Sequence, residues 1–153
     1  MNKAVSVGSL AVGAEIRGPV KHINPERIEW YDSAMLSAAK NELAQVGSNI
    51  HTDDDYARDE GFPGVMADGM MMTNWCSTML IDHFGMDYIE RGELRTKFIK
   101  PAYLDIMLHV RGKVLAVDKT ENGSLYTLDV WCEDEKGTKL VDGHAKVEVR
   151  PAG

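Results

Sequence analysis

Gly69-Met70-Met71-Met72-Thr73-Asn74-Trp75-Cys76-Ser77-Thr78-Met79-Leu80-Ile81-Asp82-His83-Phe84-Gly85 is the longest unbroken helical pattern in the chain. A glycine stands at each end and no proline falls between. Met70, Trp75, Cys76, Met79, Leu80 and Ile81 spread over most sides of such a helix, and a helix that is apolar nearly all round is one that other structure encloses. The stretch therefore predicts a buried central helix, and the rest of the chain must supply what surrounds it.

The residues after it do so. From Leu94 onward the apolar period changes from helical to two. Leu94, Thr96 and Phe98 alternate with Arg95 and Lys97, and Ile106, Leu108 and Val110 alternate with Met107, His109 and Arg111. Tyr126, Leu128, Val130 and Cys132 alternate with Thr127, Asp129 and Trp131, and Val141, Gly143, Ala145, Val147 and Val149 with His144, Lys146 and Glu148. Asn122-Gly123 and Lys136-Gly137 are the turn signals between these runs. An antiparallel meander with one apolar face follows, and it needs a helix to cover that face. Before the central helix, Asn24-Pro25-Glu26 marks a helix start, with Ile28, Tyr31, Met35 and Ala38 at helical spacing behind it. Thr52 is the expected cap of a second short helix whose first turn carries Asp53, Asp54 and Asp55. Residues Met1 to Val20 read as a loose lead-in with a short strand, broken by Gly8, Gly13, Gly18 and Pro19. Helices first and strands second give an α+β fold, and a long antiparallel sheet wrapped around one central helix is the hotdog architecture, a pattern that other α+β folds share.

Length and composition bound the function. At 153 residues, 1–153 is expected to be a single domain. With 44% hydrophobic and 27% charged residues the chain is of the globular class with a real core. A net charge of -7 argues against nucleic-acid binding and against anionic lipid. No run approaches the ~20 apolar residues of a membrane helix, and no signal-peptide pattern follows Lys3. Cys76 and Cys132 sit among apolar residues without metal or redox spacing, so they are expected as reduced core thiols in a cytoplasmic protein.

The chemistry concentrates in Asn49-Ile50-His51-Thr52-Asp53, followed by Tyr56-Ala57 and then by Gly69-Met70 eighteen residues after His51. Phe98-Ile99-Lys100-Pro101 with Asp105, and Gly143-His144-Ala145 near the end, complete the pattern. In order and spacing these resemble the MaoC-like hydratase and dehydratase family over nearly the whole chain. The resemblance implies hydration of a trans-2-enoyl thioester carried on coenzyme A, or the reverse dehydration, without cofactor or metal. It implies a base that activates water and an acid that protonates the α-carbon, and a helix N-terminus that holds the thioester oxygen while it carries enolate charge. His51, Asp53 and Gly69 are the catalytic candidates, with substrate contacts expected from Asn49, Met70, Trp75 and Lys100. A glycine at the head of a buried helix has its own reason, since it lets a ligand approach free N–H groups and the positive dipole end. Arg95, Lys97 and Lys100 are the one local basic cluster, open to two readings: a solvated strand face, or a contact to the phosphates of coenzyme A.

One departure stands out. The family's catalytic Asp lies five residues before its His, and here that position is Val46. Three readings stay open: a carboxylate from elsewhere, with Asp53 and Glu42 the nearest; His51 working alone while Asn49 and Ser48 position water; or a non-catalytic hotdog chain, either a subunit of a heteromeric hydratase or an acyl-thioester-binding protein. The alternative for Asp53 to Asp55 is plain first-turn helix acids, and for Met70 to Met72 core filler. A hotdog thioesterase is disfavoured because no Asp or Glu lies between Met70 and Ile81. A homodimer or higher homo-oligomer is expected, or a heteromer with a related chain, because one small sheet leaves an edge uncovered.

Overall fold

The computed structural model describes residues 10–44 and 47–151. Nine elements follow in order: β1 (Glu15–His22), α1 (Pro25–Lys40), α2 (Asp54–Asp59), α3 (Gly69–Phe84), α4 (Met86–Arg91), β2 (Gly92–Phe98), β3 (Met107–Thr120), β4 (Gly123–Glu133) and β5 (Lys139–Val149). The strands form one antiparallel sheet in the order β1-β3-β4-β5-β2. It curls around α3, as the hotdog reading requires.

The period-two runs are the inner face of that sheet. Leu108, Val110 and Val114 of β3, Leu128, Val130 and Cys132 of β4, and Val141, Ala145 and Val147 of β5 are all buried. They pack on Met71, Met72, Cys76, Met79, Leu80 and Phe84 of α3. Met70 and Ile81 on the same helix stay exposed, so α3 is covered on its sheet side and open on another. Gly85, at φ 56, ends the helix, its N–H donating to the Ile81 carbonyl at 2.7 Å. Cys76 and Cys132 are both free and buried, with Sγ atoms 3.6 Å apart. No helix among the described residues is long and apolar enough to cross a membrane.

Several local expectations change. The lead-in contains a full eight-residue edge strand, β1, paired with β3. Gly18 and Pro19, which look like breaks, form an irregularity in its register between Arg17 and Val20. An edge strand tolerates a proline there. A Cβ on Gly18 would stand 2.9 Å from Val110 Cβ and 3.0 Å from Met79 Cβ, so the glycine lets the backbone approach the core closely. The tight β3–β4 turn is Glu121-Asn122, with Gly123 opening β4 opposite Thr120. The cap of α2 is Asp53 rather than Thr52. The Asp53 carboxylate accepts from the N–H groups of Asp55 and Tyr56, while the Thr52 hydroxyl donates back to the Gly47 carbonyl. The short α4 has no sequence signal of its own, and α1 buries Ile28 and Asp32 while Met35 remains 57% exposed.

Met79 is the hinge pin of this packing. It is fully buried beside Gly18 of β1 and Gly112 of β3, where Val110 and Ile16 share the space with it. Met79→Ala should cost about 2–5 kcal/mol of stability, the range for a large core side chain cut to a methyl. Denaturant unfolding checks it, and a loss below about 1 kcal/mol would show that β1 closes over the gap.

Candidate active site

The site grows from one chain crossing. After α2 the backbone returns past His51, and two main-chain bonds and one from the imidazole fix it there. The Met66 N–H donates to the Ile50 carbonyl at 3.4 Å, the Met66 carbonyl faces His51 Nδ1 at 2.8 Å, and the Ala67 N–H donates to the Ala102 carbonyl at 2.8 Å. Met66 also forms a bridge with Tyr103. Two residues later Asp68 caps α3, its carboxylate accepting from the Met70 N–H at 2.7 Å. The head of α3 is thereby set beside the imidazole.

A carbonyl oxygen only accepts, so the Met66 contact requires the proton on Nδ1 and leaves Nε2 as the basic nitrogen. The His51 backbone is held separately, its N–H donating to Asn49 Oδ1 at 2.7 Å. His51, Gly69 and Lys100 line one cavity of about 250 Å³, together with Met66, Met72 and Phe98. The main chain at Lys100 is fixed by bonds from the Ile99 and Lys100 N–H groups to the Leu140 carbonyl. With the Met70 N–H taken by Asp68 and the Met71 N–H by the Asp68 carbonyl, the Gly69 N–H is the donor at the helix head without an acceptor among the described residues. On its other side His51 lines a wider cavity of about 410 Å³, with Glu29, Ser48, Asp53 and Leu104 on its walls.

The expected residues separate into two groups. His51, Gly69 and Lys100 meet at one cavity. Asp53 lies on the wider cavity, but its carboxylate caps α2, and hydrogen bonds from Ser48 and then Tyr56 hold it below the usual carboxylate range. Asn49 has both ends of its amide committed within the protein, to the His51 N–H and to Asp32. Met70 is exposed and off this cavity, and Met72 of the same helix lines it instead. Trp75 is likewise elsewhere, with Lys21 Nζ and the Arg27 guanidinium each 6.0 Å from its ring. Val46, the position of the family acid, lies outside the described residues.

No sequence motif singles out Asp32. It is 9% exposed, the one buried charged side chain among the described residues, and it accepts a hydrogen bond from Asn49 Nδ2 at 3.4 Å. Burial raises its carboxyl above the usual range, and the nearby Asp68 adds to this, while His51 and the Asn49 bond pull the other way. The available signal was its place one turn after Ile28, on the inward stripe of α1.

No family model matches the sequence, and no curated protein matches it. Solved structures do. The chain is similar to the MaoC-like dehydratase from Rhodospirillum rubrum, at 18% identity over 97% of this chain and 99% of that one, with a TM-score of 0.74. It is similar to the (R)-hydratase from A. caviae involved in PHA biosynthesis, at 19% identity over 92% and 98%, with a TM-score of 0.68. A chain of the ChsH1-ChsH2 complex from Mycobacterium tuberculosis gives 18% identity over 92% and 98%, with a TM-score of 0.67. The fold is therefore the hotdog fold of MaoC-like dehydratases and (R)-hydratases, along almost the full length.

A Cβ at Gly69 would lie 2.8 Å from the edge of the Phe98 ring. That ring is 48% exposed and has room to turn outward. Gly69→Ala should therefore fold with a loss of no more than about 1 kcal/mol. A loss of about 3 kcal/mol or more in denaturant unfolding would mean that Phe98 is fixed over the helix head.

Proposed function

We propose that this chain is a cytoplasmic hydro-lyase that adds water to a trans-2-enoyl-CoA thioester, or removes it from the 3-hydroxyacyl-CoA. The observation that carries the reading is the meeting of His51, Gly69 and Lys100 at one cavity. The shared fold with MaoC-like dehydratases and (R)-hydratases supports the same reaction class.

The geometry suits the steps. His51 Nε2 takes a proton from water as the water oxygen bonds to the β-carbon of the enoyl group. The electron pair of the double bond moves through the α-carbon to the thioester oxygen. The Gly69 N–H and the positive end of α3 stabilise that oxygen. The imidazolium then returns a proton to the α-carbon, and the thioester carbonyl re-forms. Met72 and Phe98 offer apolar surface to the acyl group, and Lys100, exposed at the cavity, offers an ammonium to the carrier's phosphates.

A second hotdog chain is part of the proposal. The sheet ends in two open edges, β1 and β2, and Phe98 and Ile99 stand about half exposed beside the cavity. A second copy across this side would shelter both. Val46, where the resemblance expects an acid, favours one competing reading, in which this chain is the non-catalytic member of a heteromer.

Purified protein assayed alone on enoyl-CoA thioesters of several chain lengths distinguishes the two. Hydration by the wild type, lowered ~10²–10⁴-fold in His51→Ala with thermal stability kept, is the expected result. Equal activity of the variant would remove His51 from the centre. Protein that is inert alone and active with a related hotdog chain would establish the subunit reading. Light scattering should give at least a dimer, and a stable monomer at working concentration would contradict the shared edge.

A further inference from the structure

We propose that Asp32 is the carboxylate partner of His51, a positioning residue of α1 that holds the charge the imidazole acquires when it takes a proton. The proposal rests on the reading of His51 as the proton-transfer group.

A buried carboxylate is costly unless it is paired or hydrogen-bonded. Asp32 has no lysine or arginine in ion-pair range among the described residues, and its carboxylate accepts from the Asn49 amide at 3.4 Å. The same amide accepts from the His51 backbone N–H at 2.7 Å, so one side chain links the Asp32 carboxylate to the main chain that carries the imidazole. The charged groups around the imidazole are Glu29 and Asp32 from α1, Asp53 and Asp54 at the start of α2, Asp68 at the head of α3, and Lys100 after β2. Glu29, Asp54 and Lys100 are exposed, and Asp53 and Asp68 are spent as helix caps. Asp32 alone is both buried and without a cation of its own, and the charge that favours its ionised form is that of His51.

The balance with stability points the same way. The folded-state carboxyl titrates above its unfolded value, so the folded state binds the proton more tightly. Stability contributed by the neutral form is present below the unfolded value and is lost as pH rises through the folded one. The ionised form of Asp32 is thus a net burden on folding, and a residue that carries such a cost is a candidate for function rather than for support.

The test is Asp32→Asn in the full chain, with the His51 ring followed by NMR across pH and the hydration rate measured alongside. The expected results are a His51 titration moved to lower pH, and a kcat lowered about 10- to 100-fold with KM little changed. The thermal midpoint should be unchanged or higher. A His51 titration that stays in place overturns the proposal, whatever the activity. Wild-type protein without hydratase activity alone or with a related hotdog chain would remove the functional reading, and the NMR shift would still decide whether the two groups are coupled. If Asp32→Asn fails to fold, Asp32→Ser carries the same measurement, and a requirement for the acid in folding itself would overturn the account.

Discussion

The sheet has one apolar face, and α3 is what buries it. Met72, Cys76, Met79, Leu80 and Phe84 lie against Leu108, Val110, Leu128, Val130, Val141 and Val147, and together they exclude water from the centre of the molecule. Apolar burial at roughly 25 cal/mol per Å² makes this contact the dominant stabilising one. It also fixes where α3 begins. Met79 sits between Gly18 and Gly112, two positions without side chains, and that fit sets the helix against the sheet. The helix head then stands at the open end of the core, where the loop carrying His51 crosses it.

That placement is how a packing constraint becomes chemistry. A helix terminus leaves N–H groups without intrahelical partners, and here the Asp68 side chain and carbonyl satisfy the second and third of them. The first, at Gly69, faces a cavity shared with an imidazole whose tautomer the Met66 carbonyl dictates. Neither group is mobile in the sense that matters: both are tied to main chain that pairs with Ile50 and Ala102. Proton transfer and oxyanion stabilisation both depend on such fixed geometry.

The sequence made some of this legible and hid the rest, for identifiable reasons. The inner faces of β3, β4 and β5 follow from alternation, which the sheet repeats from Leu108 to Val114, from Tyr126 to Cys132 and from Val141 to Val147. The extent of α3 follows from Gly69 and Gly85. His51, Gly69 and Lys100 were found as a spaced pattern, and the fold brings them to one cavity. Trp75 and Met70 were nominated from the same helix and point elsewhere, because spacing along a helix does not tell which side the cavity lies on. Asp32 stayed hidden because an acid on a helix ordinarily faces water. Only the return of Asn49 against α1 makes its position an interior one. β1 was underestimated since glycine and proline read as breaks, whereas at a sheet edge they serve as an irregularity.

The central claim is that a thioester is held between the head of α3 and the imidazole of His51. A crystal structure of the His51→Ala protein soaked with an enoyl-CoA tests it most directly. The account predicts the thioester oxygen within hydrogen-bond distance of the Gly69 N–H, and the β-carbon facing the space left by the imidazole. A thioester bound instead in the wider cavity beside Glu29 and Asp53, with the Gly69 N–H untouched, would contradict it.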